Sequence, residues 1–222
     1  MEIWVAGSTG LVGTSLVEQL LERAEVTRIS ALVRRPHWAP RPKLEELVVD
    51  FESLESSPAL AGRPVSHAAC CLGTTIAKAG SQEAFRRVDF DYVVAFGRAA
   101  RKAGARALLV VSALGANPKS SIFYNRVKGE GEAALSELGF PSLHILRPSL
   151  LLGERSEHRP GERVASALGR PLGHLLFGPL KKYAPIEGAD VARALIQLAL
   201  DPREGRFIHE SDALARLARK SG

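Results

Sequence analysis

Three residues could carry proton-transfer chemistry: Ser112, Tyr124 and Lys128. Ser112 ends a short apolar run, and Tyr124 and Lys128 follow it within one helical pattern. Because residues four apart lie on one face of a helix, the tyrosine and lysine side chains would be neighbours. Hydride transfer to a carbonyl leaves an oxyanion that needs a proton, so an acid must lie within hydrogen-bond reach. The spacing predicts an acid/base site, although a surface Tyr–Lys pair would show the same spacing.

The pairing of these two residue types has a physical reason. A tyrosine side chain ordinarily has a pKa near 10, which makes it a reluctant acid or base at neutral pH. A lysine ammonium about 4 Å away stabilises a phenolate by roughly 4 kcal/mol at an effective dielectric constant near 20, or roughly a thousandfold in acidity. One lysine can therefore prepare one tyrosine for proton transfer. We expect Ser112 to hydrogen-bond the substrate oxygen and Lys128 also to contact the ribose beside the nicotinamide.

A glycine loop directly follows the first apolar run and opens the first helical pattern. The loop comprises Gly7, Ser8, Thr9, Gly10, Leu11, Val12 and Gly13. Its glycines would let the backbone turn sharply and let a pyrophosphate approach the main chain. The N-terminus of the following helix offers unpaired N–H groups to phosphates. The loop predicts a dinucleotide-binding site, against the alternative of a tight turn without a ligand.

The residues after the second and third strands bear on the choice of cofactor. Arg34 and Arg35 stand where NAD-binding proteins place an acid for the ribose hydroxyls. Guanidinium groups can bind a 2′-phosphate, so NADP(H) is predicted over NAD(H), unless both arginines only face solvent. Asp50 could accept the adenine amino group with Phe51 beside the ring, although Asp50 could equally be an ordinary acid at a strand end.

The alternation of elements predicts where these residues lie. Short continuous apolar runs, typical of strands buried on both faces, lie at Glu2–Ala6, Arg28–Val33, Glu46–Val49, His67–Leu72, Ala107–Ser112 and Ser142–Arg147, with a short strand near Arg206–His209. Helical patterns lie at Leu11–Glu22, Gln82–Lys102, Ile122–Leu138 and Ala189–Leu200. Ser81 and Ser121 are the expected N-caps of the second and third of these helices, and Ser211 is the expected cap of a further, final helix. The predicted fold class is α/β, a doubly wound, mostly parallel Rossmann sheet with helices on both faces.

The chain is predicted to form one domain over residues 1–222. Prolines and glycines break the pattern at 150–185, which we interpret as a small, irregular C-terminal insertion on the substrate side of the sheet. The fourth strand ends at Leu72 and runs into Gly73 and Thr74, where a small residue would let the ribose of a cofactor cross the sheet edge.

Composition narrows the function classes. The net charge of +6 is spread along the chain, which favours a mildly basic surface over a nucleic-acid partner. No apolar stretch is long enough for a membrane span, and a strand begins where a signal peptide would lie, so we expect no membrane partner and a cytoplasmic protein. The six histidines show no metal-ligand spacing, so no metal is predicted.

The motifs resemble those of the extended and atypical short-chain dehydrogenase/reductase superfamily. The resemblance is carried by Gly7–Gly13, Ser112, Tyr124, Lys128 and the run Leu146–Pro148. Within that superfamily, two segments are similar to sequences of the small Tat-interacting-protein-like branch. They are VSALGANPKSSIFYNRVKGEGEAAL and LRPSLLLGER. The resemblance implies an NAD(P)-binding Rossmann domain with a catalytic serine, tyrosine and lysine acting on a small carbonyl or alcohol.

The resemblance also implies further site residues and one departure. Arg147, Pro148, Ser149 and Leu150 would line the nicotinamide end of the site. Where many relatives carry an asparagine in the helix after the fourth strand, this chain has Asp89, which argues against a standard asparagine-based proton relay.

Two alternatives and one assembly question remain open at this point. A non-catalytic NADP(H)-binding regulator or sensor would keep the cofactor site without turnover. A nucleotide-sugar epimerase would keep the tyrosine and lysine but would need a larger substrate domain.

Gly129 and Gly131 each weaken a helix by roughly 1 kcal/mol. Close approach of a helix from a second subunit, giving a homodimer, would explain them, as would helix strain near a site.

Overall fold

The computed structural model of the chain describes residues 1–153 and 178–219. Its strands are β1 (Glu2–Ala6), β2 (Arg28–Val33), β3 (Leu44–Val48), β4 (His67–Cys70), β5 (Ala107–Val111), β6 (Ser142–Arg147), β7 (Leu151–Leu152), β8 (Ile186–Glu187) and β9 (Gly205–Glu210). Seven of them form one sheet in the order β3-β2-β1-β4-β5-β6-β9, and every neighbouring pair is parallel. The predicted parallel Rossmann sheet is confirmed.

Helices cover both faces of this sheet. They are α1 (Leu11–Leu21), α2 (Ile76–Ala79), α3 (Gln82–Arg86), α4 (Tyr92–Lys102), α5 (Phe123–Ser136), α6 (Gly188–Leu200) and α7 (Ser211–Arg219), with 3-10 turns at Phe51–Ser56, Pro58–Leu60 and Gly178–Tyr183. The strand order reverses between β1 and β4, which is the switch point where such sheets bind ligands at their carboxyl edge. Within the described residues, no helix is long and apolar enough to cross a bilayer.

The core consists of two apolar clusters, one on each face of the sheet. Alternate residues of β1 supply both clusters, as expected for a strand buried on both sides. Ile3 and Val5 pack with α1 and α6, whereas Trp4 and Ala6 pack with α4 and α5. The sheet is thereby held rigidly between helices, and the residues at its carboxyl edge are fixed in place.

The predicted helix Gln82–Lys102 has the expected bounds, but it is not α-helical throughout. A π-helical turn at Arg87–Asp91 separates α3 from α4. Ser81 caps α3 as predicted, since its hydroxyl accepts the N–H of Ala84 at 3.0 Å. The prediction that Ser121 caps α5 is wrong, because that helix begins at Phe123 and Ile122 occupies the cap position without a side-chain hydrogen bond.

The segment at 150–185 lies mostly outside the described residues. Its first part is a strand rather than an irregular loop, because Leu151 and Leu152 of β7 pair in parallel with Ile186 and Glu187 of β8. Ser211 begins α7 instead of capping it, and its side chain bonds Ser149: the Ser211 hydroxyl accepts the N–H of Ser149 at 2.7 Å.

A histidine pair between β6 and β9 makes the stability of the fold depend on pH. Nδ1 of His144 lies 3.0 Å from Nε2 of His209, and the His144 ring stacks on Phe207. Burial, together with the nearby His209 and Arg203, lowers the pKa of His144 to about 4. The unfolded chain therefore binds more protons between about pH 4 and pH 6.5, and folding is weakened as the pH falls through that range.

We expect the free energy of unfolding to be roughly 2 kcal/mol smaller at pH 4.5 than at pH 7 because of His144 alone. His144→Gln should remove most of that difference, as measured by urea denaturation at both pH values. The exposed His37 provides the control, and His37→Gln should leave the difference unchanged. An unaltered pH dependence in His144→Gln would show that other groups cause it.

Candidate active site

The glycine loop is shaped by backbone crowding. Gly7 has a φ of +78°, and a Cβ there would lie 2.5 Å from the carbonyl carbon of Cys71. A Cβ at Gly13 would lie 2.0 Å from the carbonyl oxygen of Gly7. Gly10 takes the cap position of α1 without a side-chain hydrogen bond, which leaves the N–H groups of the first turn available. This uncapped, glycine-lined turn fits a pyrophosphate group.

A cavity of about 860 Å³ runs along the carboxyl edge of the sheet from this loop. Its volume lies within the usual range of small-molecule sites. The predicted site residues that line it are Thr9, Gly10, Leu11, Val12, Arg34, Leu72, Gly73, Thr74, Ser112, Tyr124, Lys128, Ser149 and Leu150. The structure therefore brings the phosphate loop and the three predicted catalytic residues to one cavity.

Two groups of predicted site residues are not among those that line this cavity. The first group belongs to the glycine loop but does not face the cavity: Gly7, Ser8 and Gly13, of which Ser8 is only 1% exposed. Arg35, Asp50, Phe51, Arg147 and Pro148 also lie away from the described lining.

The expectation that Phe51 lies beside an adenine ring is wrong, because Phe51 is buried in the core. Its ring packs against Tyr92 with the centroids 5.6 Å apart. Asp50 caps the following 3-10 turn: one carboxylate oxygen accepts the N–H of Glu52 at 3.0 Å and the other the hydroxyl of Ser53 at 3.1 Å. Strand-end position alone does not distinguish a cap from a ligand-binding acid.

Lys128 is buried and forms an ion pair with Asp89. Nζ of Lys128 lies 2.7 Å from Oδ1 of Asp89, and the two side chains are 8% and 0% exposed. Although burial disfavours the ammonium, the charge of Asp89 and the proximity of Tyr124 outweigh it and raise the pKa of Lys128. The lysine is therefore a fixed positive charge at neutral pH. Asp89 stands out in the sequence as a departure from the family pattern, whereas its pairing with Lys128 is visible only in the fold.

Ser112 hydrogen-bonds a buried carboxylate that sequence analysis missed. The Ser112 hydroxyl donates to Oε1 of Glu132 at 2.5 Å, and Glu132 is 4% exposed. Because a carboxylate can only accept, the Ser112 proton points toward Glu132 and only lone pairs remain for a substrate. With its proton toward Glu132, the Ser112 hydroxyl can accept a hydrogen bond from an alcohol but cannot donate one to a carbonyl oxygen, and the expectation that Ser112 hydrogen-bonds a substrate oxygen stays a prediction.

Arg147 binds the same carboxylate. Its Nε donates to Oε1 of Glu132 at 2.9 Å and its Nη2 to Oε2 at 2.5 Å. This hydrogen bonding raises the pKa of Arg147. Arg147 thus supports the site from behind, which corrects the expectation that it lines the nicotinamide end. The signal for Glu132 was its spacing, because Tyr124, Lys128 and Glu132 follow one another at four-residue steps on α5.

Tyr124 stands at the start of α5 with its ring half buried. The ring packs against Phe85 with the centroids 5.4 Å apart, and Phe85 itself is fully buried. Helix α3 therefore fixes the ring while the residue still reaches the cavity.

Gly129 is explained by packing within the chain. A Cβ there would lie 2.3 Å from the backbone of Asn117 and Pro118. A Cβ on Gly131 would meet the backbone oxygen of Asp89 at 3.6 Å, which is ordinary contact. The explanation of Gly129 by a helix from a second subunit is wrong, and a homodimer stays a prediction without support from this glycine.

Comparison with known proteins gives consistent matches. A family model described as NAD(P)H-binding matches residues 7–202. Protein HTATIP2 of Rattus norvegicus is 34% identical over 224 residues, which cover 99% of this chain and 90% of that protein. The protein named fmp52, mitochondrial, of Emericella nidulans is 38% identical over 204 residues, which cover 90% of this chain and 87% of that protein.

Solved structures share the fold. MoeE5 in complex with UDP-glucose and NAD superimposes with a TM-score of 0.69 at 18% identity, covering 100% of this chain and 82% of that one. The human epimerase family protein SDR39U1 with NADPH superimposes with a TM-score of 0.62 at 18% identity, covering 95% and 74%. At this identity the likeness shows the fold alone.

The expected cytoplasmic location is wrong. Several of the fungal relatives carry the word mitochondrial in their names. The expectation depended on an early strand leaving no space for a signal peptide, and that observation does not bear on import into an organelle.

Proposed function

The chain belongs to the NAD(P)H-binding family, with HTATIP2 and FMP52 proteins as relatives, and from that premise we propose that it is an NADP(H)-dependent oxidoreductase. It reduces a small carbonyl or oxidises a small alcohol, with Tyr124 as the acid/base. The observation that carries this proposal is that the glycine loop, Tyr124 and the buried Lys128 all meet in one cavity. The resemblance to the Tat-interacting-protein-like branch is confirmed by the relatives.

The chain's own residues account for binding and proton transfer. The first turn of α1 and the glycine loop would hold the pyrophosphate, and Gly73 and Thr74, which line the cavity, would face the adjoining ribose. When bound, the nicotinamide supplies or accepts the hydride. Tyr124 gives a proton to the substrate oxygen in reduction and removes one in oxidation. The Lys128 ammonium stabilises the phenolate that the transfer leaves behind.

Arg34 supports NADP(H) over NAD(H). It lines the cavity, its side chain is exposed, and Arg35 beside it is not part of the described lining. The residues directly after β2 include no acid that would repel a 2′-phosphate or accept a hydrogen bond from a free 2′-hydroxyl. The guanidinium of Arg34 can therefore bind a 2′-phosphate with charge-assisted hydrogen bonds.

We expect NADPH to bind about 10- to 150-fold more tightly than NADH, because one charge-assisted hydrogen bond is worth about 1.5–3 kcal/mol. Arg34→Ala should weaken NADPH binding by about that factor and leave NADH nearly unchanged, as titration calorimetry would show. Arg35→Ala is the matched control and should have the smaller effect. Equal affinities of the wild-type protein for both cofactors would contradict the NADP assignment.

Turnover is tested by following NADPH oxidation with a panel of small aldehydes and ketones, and NADP⁺ reduction with the corresponding alcohols. Oxidation that depends on the substrate and is lost in Tyr124→Phe supports the proposal. Tight NADPH binding with no turnover on any panel member would instead indicate a non-catalytic sensor of the cofactor.

A further inference from the structure

The π-helical turn at Arg87–Asp91 carries one buried residue, Asp89. Such turns are rare, occur mostly as single turns inside α-helices, and are frequently found at functional sites. Here the turn lies between α3, which supports the Tyr124 ring, and α4, which packs on the sheet. The Asp89 carboxylate points from this turn toward Lys128 on α5.

Both carboxylate oxygens of Asp89 are engaged. Oδ1 lies 2.7 Å from Nζ of Lys128, and Oδ2 accepts the backbone N–H of Thr74 at 2.9 Å. Thr74 belongs to the loop after β4 that lines the cavity, and a Cβ on Gly73 would contact both members of the ion pair. Asp89 therefore links Lys128 to the loop after β4, against which a bound cofactor would lie.

The charges around this pair decide its effect on Tyr124. Three of the nearby titratable residues lie on α5: Tyr124, Lys128 and Glu132. Cys70 on β4 lies near the ion pair but is neutral, because burial raises the pKa of its thiol to about 12. Glu132 is matched by Arg147. The carboxylate of Asp89 is thus the charge that directly opposes the Lys128 ammonium.

We propose that Asp89 is a positioning residue that fixes Lys128 and, by cancelling part of its positive charge, sets the pH range in which Tyr124 exchanges its proton. The catalytic meaning of this inference rests on the proposed function, whereas the electrostatic effect on Tyr124 does not. A chain with asparagine at this position would present the full ammonium charge to the tyrosine. Asp89 therefore weakens the positive potential that Lys128 presents to the Tyr124 hydroxyl, which suits a proton donor in carbonyl reduction.

The test compares Asp89→Asn with the wild-type protein. The asparagine keeps the size of the side chain and an oxygen that can accept the Thr74 N–H, but it removes the charge. Glu130→Gln is the matched control, because Glu130 is a carboxylate on α5 that pairs with Arg86 toward the surface.

The primary measurement is the NMR titration of tyrosine labelled with carbon-13 at Cζ. The chain has three tyrosines, so the spectrum is simple, and Tyr124→Phe identifies the resonance. A nearby charge typically moves the ionisation midpoint of a titratable group by about 1–3 pH units. We expect Tyr124 to ionise at least about 1 pH unit lower in Asp89→Asn, and at an unchanged pH in Glu130→Gln.

This titration needs no substrate, so its outcome is independent of turnover. An identical Tyr124 titration in Asp89→Asn would overturn the inference and leave Asp89 a structural residue. If that variant does not fold, Asp89→Ser, which is smaller and can still accept a hydrogen bond, gives the same test.

With an active substrate, the pH profile of kcat/KM should move in the same direction as the NMR midpoint. A shifted titration with no turnover on any substrate supports the role of Asp89 and counts against the proposed function.

Discussion

Tyr124→Phe should lower kcat by about 10²- to 10⁴-fold, the usual contribution of a general acid or base, and leave the NADPH dissociation constant within a few-fold. In the proposed mechanism the hydroxyl acts on the substrate oxygen, so its loss should affect the chemical step more than cofactor binding. The ring itself should stay in place, because its contact with Phe85 does not involve the hydroxyl. Steady-state kinetics and titration calorimetry on the same preparation measure both quantities.

Tyr92→Phe is the matched control for this prediction. The Tyr92 hydroxyl donates to Glu52 at 2.5 Å, and burial together with this hydrogen bond raises the pKa of Tyr92 to about 12. Because this hydroxyl belongs to a bond between α4 and a 3-10 turn, its removal should leave kcat unchanged. A Tyr124→Phe protein with wild-type kcat would exclude Tyr124 as the acid/base.

Much of the fold could be predicted because it depends on local patterns. Strands β1, β2 and β6 have the predicted bounds, since a parallel strand buried on both faces is a continuous apolar run ended by polar or glycine residues. The glycine loop was also predictable from a local pattern. Crowding by the backbone at Gly7 and Gly13 leaves no space for a side chain, so glycine is required at both positions.

The π-helical turn could not be predicted in this way. It widens the helix by one residue without interrupting the apolar pattern between Gln82 and Lys102, so the sequence predicts one continuous helix. The hydrogen bonds that define the turn appear only in the structure.

The polar network behind the site depends on contacts between distant parts of the chain. The spacing on α5 places Lys128 and Glu132 on one face, but it does not identify Asp89 and Arg147 as their partners. Arg147 was assigned to the nicotinamide end because its motif resembles that of the family, and the structure places it on Glu132 instead. A local pattern predicts which face a residue lies on, whereas its partner is determined by the packing of the whole fold.

Lys128→Met should damage stability, cofactor binding and turnover together. Removing the ammonium leaves the Asp89 carboxylate buried without a counter-charge, and breaking a buried ion pair from one side costs about 3–5 kcal/mol. A Tyr124 phenolate would lose its stabilising charge, and the proposed contact of Lys128 with the nicotinamide ribose would be lost. Urea denaturation, calorimetry with NADPH and kcat measure the three effects. Small changes in all three quantities would contradict a role of the Lys128 ammonium in both the fold and the site.

The double variant Asp89→Asn with Lys128→Met separates the structural effect from the chemical one. With both charges removed, no uncompensated carboxylate remains, and the neutral pair should recover about 2–3 kcal/mol of the stability that Lys128→Met loses. The asparagine oxygen can still accept the Thr74 N–H, so the loop after β4 should keep its position. Turnover should not recover, because neither neutral residue stabilises a phenolate. Recovery of kcat along with stability would mean that Lys128 supports only the fold, whereas recovery of stability alone would show that its ammonium acts in the proton transfer at Tyr124.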